Sequence, residues 1–78
     1  MEKNNNLINV LIGKELKIAR LQKRITQTQV GEYMGVSRQM VSMWENGSRA
    51  MNIDDYLKLC DHFGFDAFGM IHHVMEIC

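Results

Sequence analysis

Apolar positions recur at helical spacing along almost the whole chain, and no stretch shows the strict alternation of a half-buried strand. At about 100° per residue, Ile8, Ile12, Leu16 and Ala19 fall on one stripe of a first helix, running from an Asn6 cap to about Lys23. That stripe is the expected core face. Leu7, Leu11 and Ile18 form a second stripe, and Lys17, Arg20 and Arg24 lie on the far side. A surface helix needs only one apolar stripe, so the second calls for a cover of its own. The polar residues 1–5 before this helix are expected to be disordered.

Two short helices follow. Thr26 with Gln29 three residues on makes a capping box, and Ile25 is placed to staple onto Val30. Val30, Tyr33 and Met34 supply the buried side, and Gly35 suits the left-handed turn that ends a helix. Ser37 caps the next helix, which turns Val41 and Trp44 inward and leaves Arg38, Gln39, Ser42 and Met43 outside. Gly31, four residues before Gly35, allows the two helices to cross closely. The pair, from about Gln27 to Met34 and from about Arg38 to Asn46, has the helix-turn-helix layout, whose second helix enters the major groove of DNA.

Asn46-Gly47 then signals a turn, and Asn52 caps a fourth helix with Asp54 and Asp55 in its first turn. Its apolar side is Ile53, Tyr56, Leu57, Leu59, Cys60 and Phe63, and Gly64 ends it. Asp66 caps a fifth segment from about Ala67 to Ile77. There Phe68, Ile71, Met75 and Cys78 make one stripe and Met70, Val74 and Ile77 another. A helix apolar on so many sides is buried on more than one of them. It either completes its own core or pairs with a second chain, and the dimer reading is favoured because one small core cannot easily cover both surfaces. The expected interface is Leu7, Leu11 and Ile18 with Phe68, Ile71 and Met75.

The 78 residues suit one domain, with residues 6–66 as its body and 67–78 as an apolar tail of the same unit. Net charge is zero, yet it is divided. From Gly13 to Arg49 seven bases stand against three acids, and from Ala50 to Cys78 one base stands against five. One half is thus suited to phosphates. No apolar run reaches the roughly 18 residues of a membrane span, and MEKNNN lacks a signal-peptide layout, so a cytoplasmic location is expected. Cys60 and Cys78 do not make a disulfide framework. With His62, His72 and His73 they also lack metal-ligand spacing, and nothing specifies a nucleophilic site. No metal, cofactor, small-molecule ligand or catalytic role is expected.

The stretch IGKELKIARLQKRITQTQVGEYMGVSRQMVSMWENGSR resembles the Cro/CI-type helix-turn-helix, the XRE family of bacterial and phage repressors. Ile25-Thr26-Gln27, Gly35-Val36-Ser37 and Val41-Ser42-x-Trp44-Glu45-x-Gly47 carry the likeness, and NIDDYLKLCDHFGFD resembles the family's fourth helix. The resemblance implies an all-α, five-helix, lambda-repressor-like bundle that binds double-stranded DNA, commonly as a two-fold dimer. By the same resemblance Ser37, Arg38, Gln39, Ser42 and Met43 read bases, and Gln27, Asn46 and Arg49 contact phosphate. Arg20 and Glu45 form a structural brace. Arg38 suits guanine and Gln39 adenine, and Met43 suits a thymine methyl. Gly31 stands where the family usually has Ala. The expected function is a sequence-specific transcriptional regulator, a phage- or prophage-type repressor acting as a homodimer on a palindromic operator. The alternative is a protein-interaction module, an antitoxin or anti-repressor that holds a protein partner with its apolar tail.

Overall fold

The computed structural model describes the backbone from Glu2 to Ile77 and side chains from Leu7 to Ile77. Five helices follow in order: α1 (Glu2–Gln22), α2 (Gln27–Met34), α3 (Arg38–Asn46), α4 (Ile53–Phe63) and α5 (Ala67–Ile77). Among the described residues there is no strand. Four junctions are set by side-chain caps. Thr26 Oγ1 accepts from the Gln29 amide at 3.0 Å while Gln29 Oε1 accepts from the Thr26 amide at 2.7 Å, the two halves of a capping box. Ser37, Asn52 and Asp66 accept in the same way from Met40, Asp55 and Gly69. Gly35, Gly47 and Gly64 end α2, α3 and α4 in the left-handed conformation.

The first helix departs from its expected start. It begins at Glu2 and continues through the polar stretch expected to be disordered, so Asn6 lies within the helix and is not its cap. Met1 and Cys78 lie outside the described residues. Arg24 takes a left-handed φ of 58° just past α1, and the Ile25 amide donates back to the Arg20 carbonyl at 3.0 Å. A side-chain-bearing residue thus closes a turn that glycine would close without strain.

Leu16, Val30, Val41, Trp44, Tyr56, Leu59, Cys60, Phe65 and Met70 form the core, drawn from all five helices and the α4–α5 turn. Phe65, between the end of α4 and the start of α5, is buried there although it belongs to neither helix's periodic stripe. Ile8, expected in the core, is 42% exposed because it borders a half-open cavity between α1, the α3–α4 connection and α5. Arg20, expected on the far side of α1, is buried against α3.

Two close approaches set the α1–α3 crossing. A Cβ on Gly13 would overlap the carbonyl oxygens of Trp44 and Glu45. A Cβ on Gly47 would lie 2.7 Å from Val10 Cα. Within the α2–α3 pair, a Cβ on Gly31 would stand 2.7 Å from the Val36 carbonyl oxygen. Glycine is therefore a steric requirement of this turn, and Ala would force the backbone to shift.

The last helix folds back. Met70 and Val74 are buried, the Tyr56 hydroxyl donates to the Ala67 carbonyl at 2.7 Å, and His73 Nδ1 lies 2.8 Å from Glu15 Oε2 of α1. The radius of gyration, 11.7 Å, matches the roughly 11.5 Å of a packed domain of this length, so α5 belongs to the body of the domain. Its other stripe stays outside: Phe68 is 80% exposed and Met75 70%. The Tyr33 and His62 rings stack at 3.6 Å and tie α2 to α4.

Gly13→Ala is expected to destabilise the domain by about 1–3 kcal/mol, the usual cost of overpacking. Urea unfolding would show a lower midpoint, and an unchanged midpoint would remove Gly13 as the crossing determinant. A second expectation concerns alkaline pH. Burial, then Cys60 nearby, pushes the Tyr56 phenol well above its ordinary value, and burial pushes the Cys60 thiol up. For both groups the folded state holds the proton more tightly than the unfolded state. Their contribution is therefore complete below the unfolded values, roughly 8.5 for Cys and 10 for Tyr, and is lost as pH rises above them. The melting temperature should fall from pH 8 to pH 11, and Tyr56→Phe should flatten that fall.

Candidate nucleic-acid interface

Helix α3 is polar on one side and buried on the other. Val41, Trp44 and Glu45 face inward, Arg38, Gln39 and Asn46 are exposed, and Ser42 and Met43 are half-buried. At helical spacing Gln39, Ser42, Met43 and Asn46 share the outward face, with Arg38 at its α2 edge. The helix is held at both ends. Ser37 caps its start, and after Gly47 the Asn46 side chain accepts from the Ser48 amide at 2.9 Å. The Arg49 amide then donates to the Met43 carbonyl at 3.3 Å, which brings Arg49 back to the end of the helix.

A chain of polar side chains passes beneath this face. Arg20 Nε donates to Glu45 Oε2 at 2.7 Å and Nη2 to Oε1 at 3.1 Å, a two-pronged pair in which both side chains are buried. Arg20 Nη1 donates to the Ile25 carbonyl at 2.8 Å, fixing the α1–α2 turn as well. Gln27 Nε2 donates to Glu45 Oε1 at 3.0 Å, and Arg38 Nη1 reaches Gln27 Oε1 at 3.4 Å. The carboxylate only accepts, so the Gln27 amide must turn its NH2 to Glu45 and its oxygen to Arg38. Gln27 thus links the buried ion pair to an arginine at the edge of the outward face. Its place at the start of α2 indicated a helix N-terminus, but this link was not visible in the sequence because its partners lie eighteen residues and eleven residues away.

Basic side chains flank α3 from α1. One groove is bordered by Lys17, Arg24, Thr26, Gln27, Thr28 and Arg38, around the N-terminus of α2. A second lies between α1 and α3 and is bordered by Lys14, Lys17, Ser42 and Asn46. Thr28 was not singled out from the sequence. It sits in the first turn of α2, and that position was its only signal. Backbone amides at a helix start together with lysines make a favourable place for anions.

Cys60 and the histidines do not converge. Cys60 is buried, His62 is stacked on Tyr33, His72 pairs with Glu76 at 3.3 Å, and His73 faces Glu15. Among the described residues no cluster could hold a metal ion, and no helix is long and apolar enough to cross a membrane. The residues expected to form one interface occupy two surfaces. Leu7, Leu11 and Ile18 lie on the outer side of α1, with Leu7 and Ile18 more than two-fifths exposed. On α5, Phe68 lies about 140° round from His73, the residue that meets α1, and Met75 lies about as far to the same side. Ile71 is half-buried against the core.

This geometry is that of a reading helix with its support, and the family comparison agrees. A helix-turn-helix family model matches residues 16–68, well over half of the chain. The protein belongs to the Cro/CI-like, XRE-type helix-turn-helix family, a family of DNA-binding transcription regulators that is generally non-enzymatic. No curated protein matches the chain.

Glu45→Gln leaves the Arg20 charge buried without its counter-ion, and breaking a buried pair from one side costs about 3–5 kcal/mol. Replacing both partners together, Arg20→Met with Glu45→Leu, should recover much of that loss. Chemical denaturation of Glu45→Gln, of Arg20→Met and Glu45→Leu singly and of the double variant checks both statements, and a double variant whose loss is the sum of its two singles would show that the two side chains act independently.

Proposed function

We propose that this protein is a sequence-specific transcriptional repressor of the phage or prophage type, binding a palindromic operator as a homodimer. The single observation that carries the reading is the outward face of α3. Gln39, Ser42 and Met43 stand there beside Arg38 on a helix fixed at both ends and joined through Glu45 to α1. Ser37, Arg38, Gln39, Ser42 and Met43 read base edges. Arg38 pairs with guanine, Gln39 with adenine, and Met43 packs on a thymine methyl. Gln27, Asn46 and Arg49 hold phosphates, and Lys14, Lys17 and Thr28 extend that backbone contact along the two grooves. Gln27 keeps one amide hydrogen for phosphate after donating the other to Glu45. The acidic C-terminal half stands away from the duplex. Residues 67–78 complete the same domain and supply apolar surface for pairing with a second copy. Repression follows from occupying a promoter, and the cytoplasm is where such a protein acts.

A second reading, a module that holds a different protein, is favoured by the exposure of Phe68 and Met75.

Selection from a random duplex pool should yield a palindrome with half-sites about one helical turn apart. Arg38→Ala should cost about 1–3 kcal/mol at a single base pair and relax preference there. Arg49→Ala should weaken all sequences alike and reduce the salt slope by about 1. Absence of any preferred duplex at low salt, with the helical content intact, would overturn the repressor reading in favour of the protein-binding one.

A further inference from the structure

A half-open cavity of about 160 Å³ lies between α1, the α3–α4 connection and α5, lined among others by Ile8, Ile12, Trp44, Met51, Ile53 and Ile71. Its lining is mostly apolar, with Asn9 and Arg49 as its polar members, and its mouth is wet: Ile8 is 42% exposed and Ile53 58%. One helical turn before Ile71 on α5 stands Phe68, the most exposed large apolar side chain among the described residues. A cavity of about 150 Å³ lined by aliphatic side chains is the size that takes one benzene ring. We propose that Phe68 of one copy fills this cavity in a second copy, and that this reciprocal insertion is the homodimer contact.

The choice of a second copy rests on symmetry. In a two-fold interface the same patch serves both partners, so it must carry its own complement. Phe68 and Ile71, three residues apart, are neighbours on the surface of α5. The projecting ring and the wall of the cavity thus belong to one continuous surface, and a single two-fold rotation about it can seat both rings at once. An unrelated partner would need only the ring or only the cavity. Met75, 70% exposed on the same side of α5, would be covered as the two helices close. The outer face of α1, with Leu7 and Ile18, takes no part in this contact. The cavity wall includes Trp44, the sole tryptophan, which lies in α3. The contact between copies therefore reaches the buried side of the reading helix itself.

The inference rests on the homodimer reading above, and the test separates the two. Phe68→Ser removes the ring from a position that is outside the monomer's core, so the fold stays intact. Ala50→Leu adds bulk to an exposed residue of the cavity wall and obstructs the hole. Sedimentation equilibrium of the full chain should show a dimer whose dissociation constant rises at least roughly thirtyfold in each variant, as expected for a central aromatic anchor. Helical content by circular dichroism should be unchanged. The emission of Trp44 should change on dilution of the wild-type protein and stay constant for Phe68→Ser. A dimer that persists at the wild-type dissociation constant in Phe68→Ser overturns the insertion and leaves the homodimer standing. Weakening by Phe68→Ser but not by Ala50→Leu overturns the cavity as its seat. A wild-type chain that stays monomeric at millimolar concentration overturns the homodimer together with this inference.

Discussion

The buried pair of Arg20 and Glu45 is the constraint on which the rest of the arrangement depends. Two charges taken out of water are costly unless their geometry and hydrogen bonds are complete. Here they are complete: the guanidinium gives two bonds to the carboxylate and a third to the Ile25 carbonyl, and the carboxylate takes a further bond from Gln27. The four bonds tie α1 to three places: α3, the α1–α2 turn and the start of α2. One pair therefore fixes α3 against α1, the α1–α2 turn, and the first residue of α2. Gly13 and Gly47 make this possible, because α3 ends against the backbone of α1 at a distance that admits no side chain. Steric closeness and charge pairing act together, the first setting the separation and the second the angle.

That rigidity gives the outward face of α3 its use. Base edges are read by side chains whose donors arrive at fixed places, so a recognition helix must resist rotation about its own axis. Caps at Ser37 and Gly47 define where α3 starts and stops, and Val41, Trp44 and Glu45 anchor its inner side. Arg38 is held lightly, at 3.4 Å from Gln27, and at an exposed position. It is oriented toward its edge of the helix while remaining exposed.

The apolar surface is distributed less completely. A chain of this size buries only about 60% of what its unfolded form exposes, and α5 illustrates the consequence. Met70 and Val74 enter the core, while Phe68 and Met75, on the same short helix, remain in water. A single α5 cannot cover α1 and be covered itself. The uncovered stripe and the cavity beside it are adjacent.

Much of the fold was legible in the sequence because it is written in local interactions. Helix periodicity, the Thr26–Gln29 box, the Ser37, Asn52 and Asp66 caps and the glycines after α2, α3 and α4 act within four residues, and each appears where its spacing predicts. The division of α3 into an inner and an outer side was legible for the same reason. Other features arise only when distant segments meet. The burial of Arg20, the steric demand at Gly13, the Gln27 link between Glu45 and Arg38, and the burial of Phe65 depend on contacts made through space. Ile8 shows the converse, since its periodicity marks it as core and only the half-open cavity it borders leaves it exposed. The sequence by itself determined which segments are helices, where they stop, and which residues stand on the outward face of α3. Tertiary structure alone decided how closely α1 and α3 approach and which apolar stripes are left uncovered, because both depend on what each helix finds opposite it.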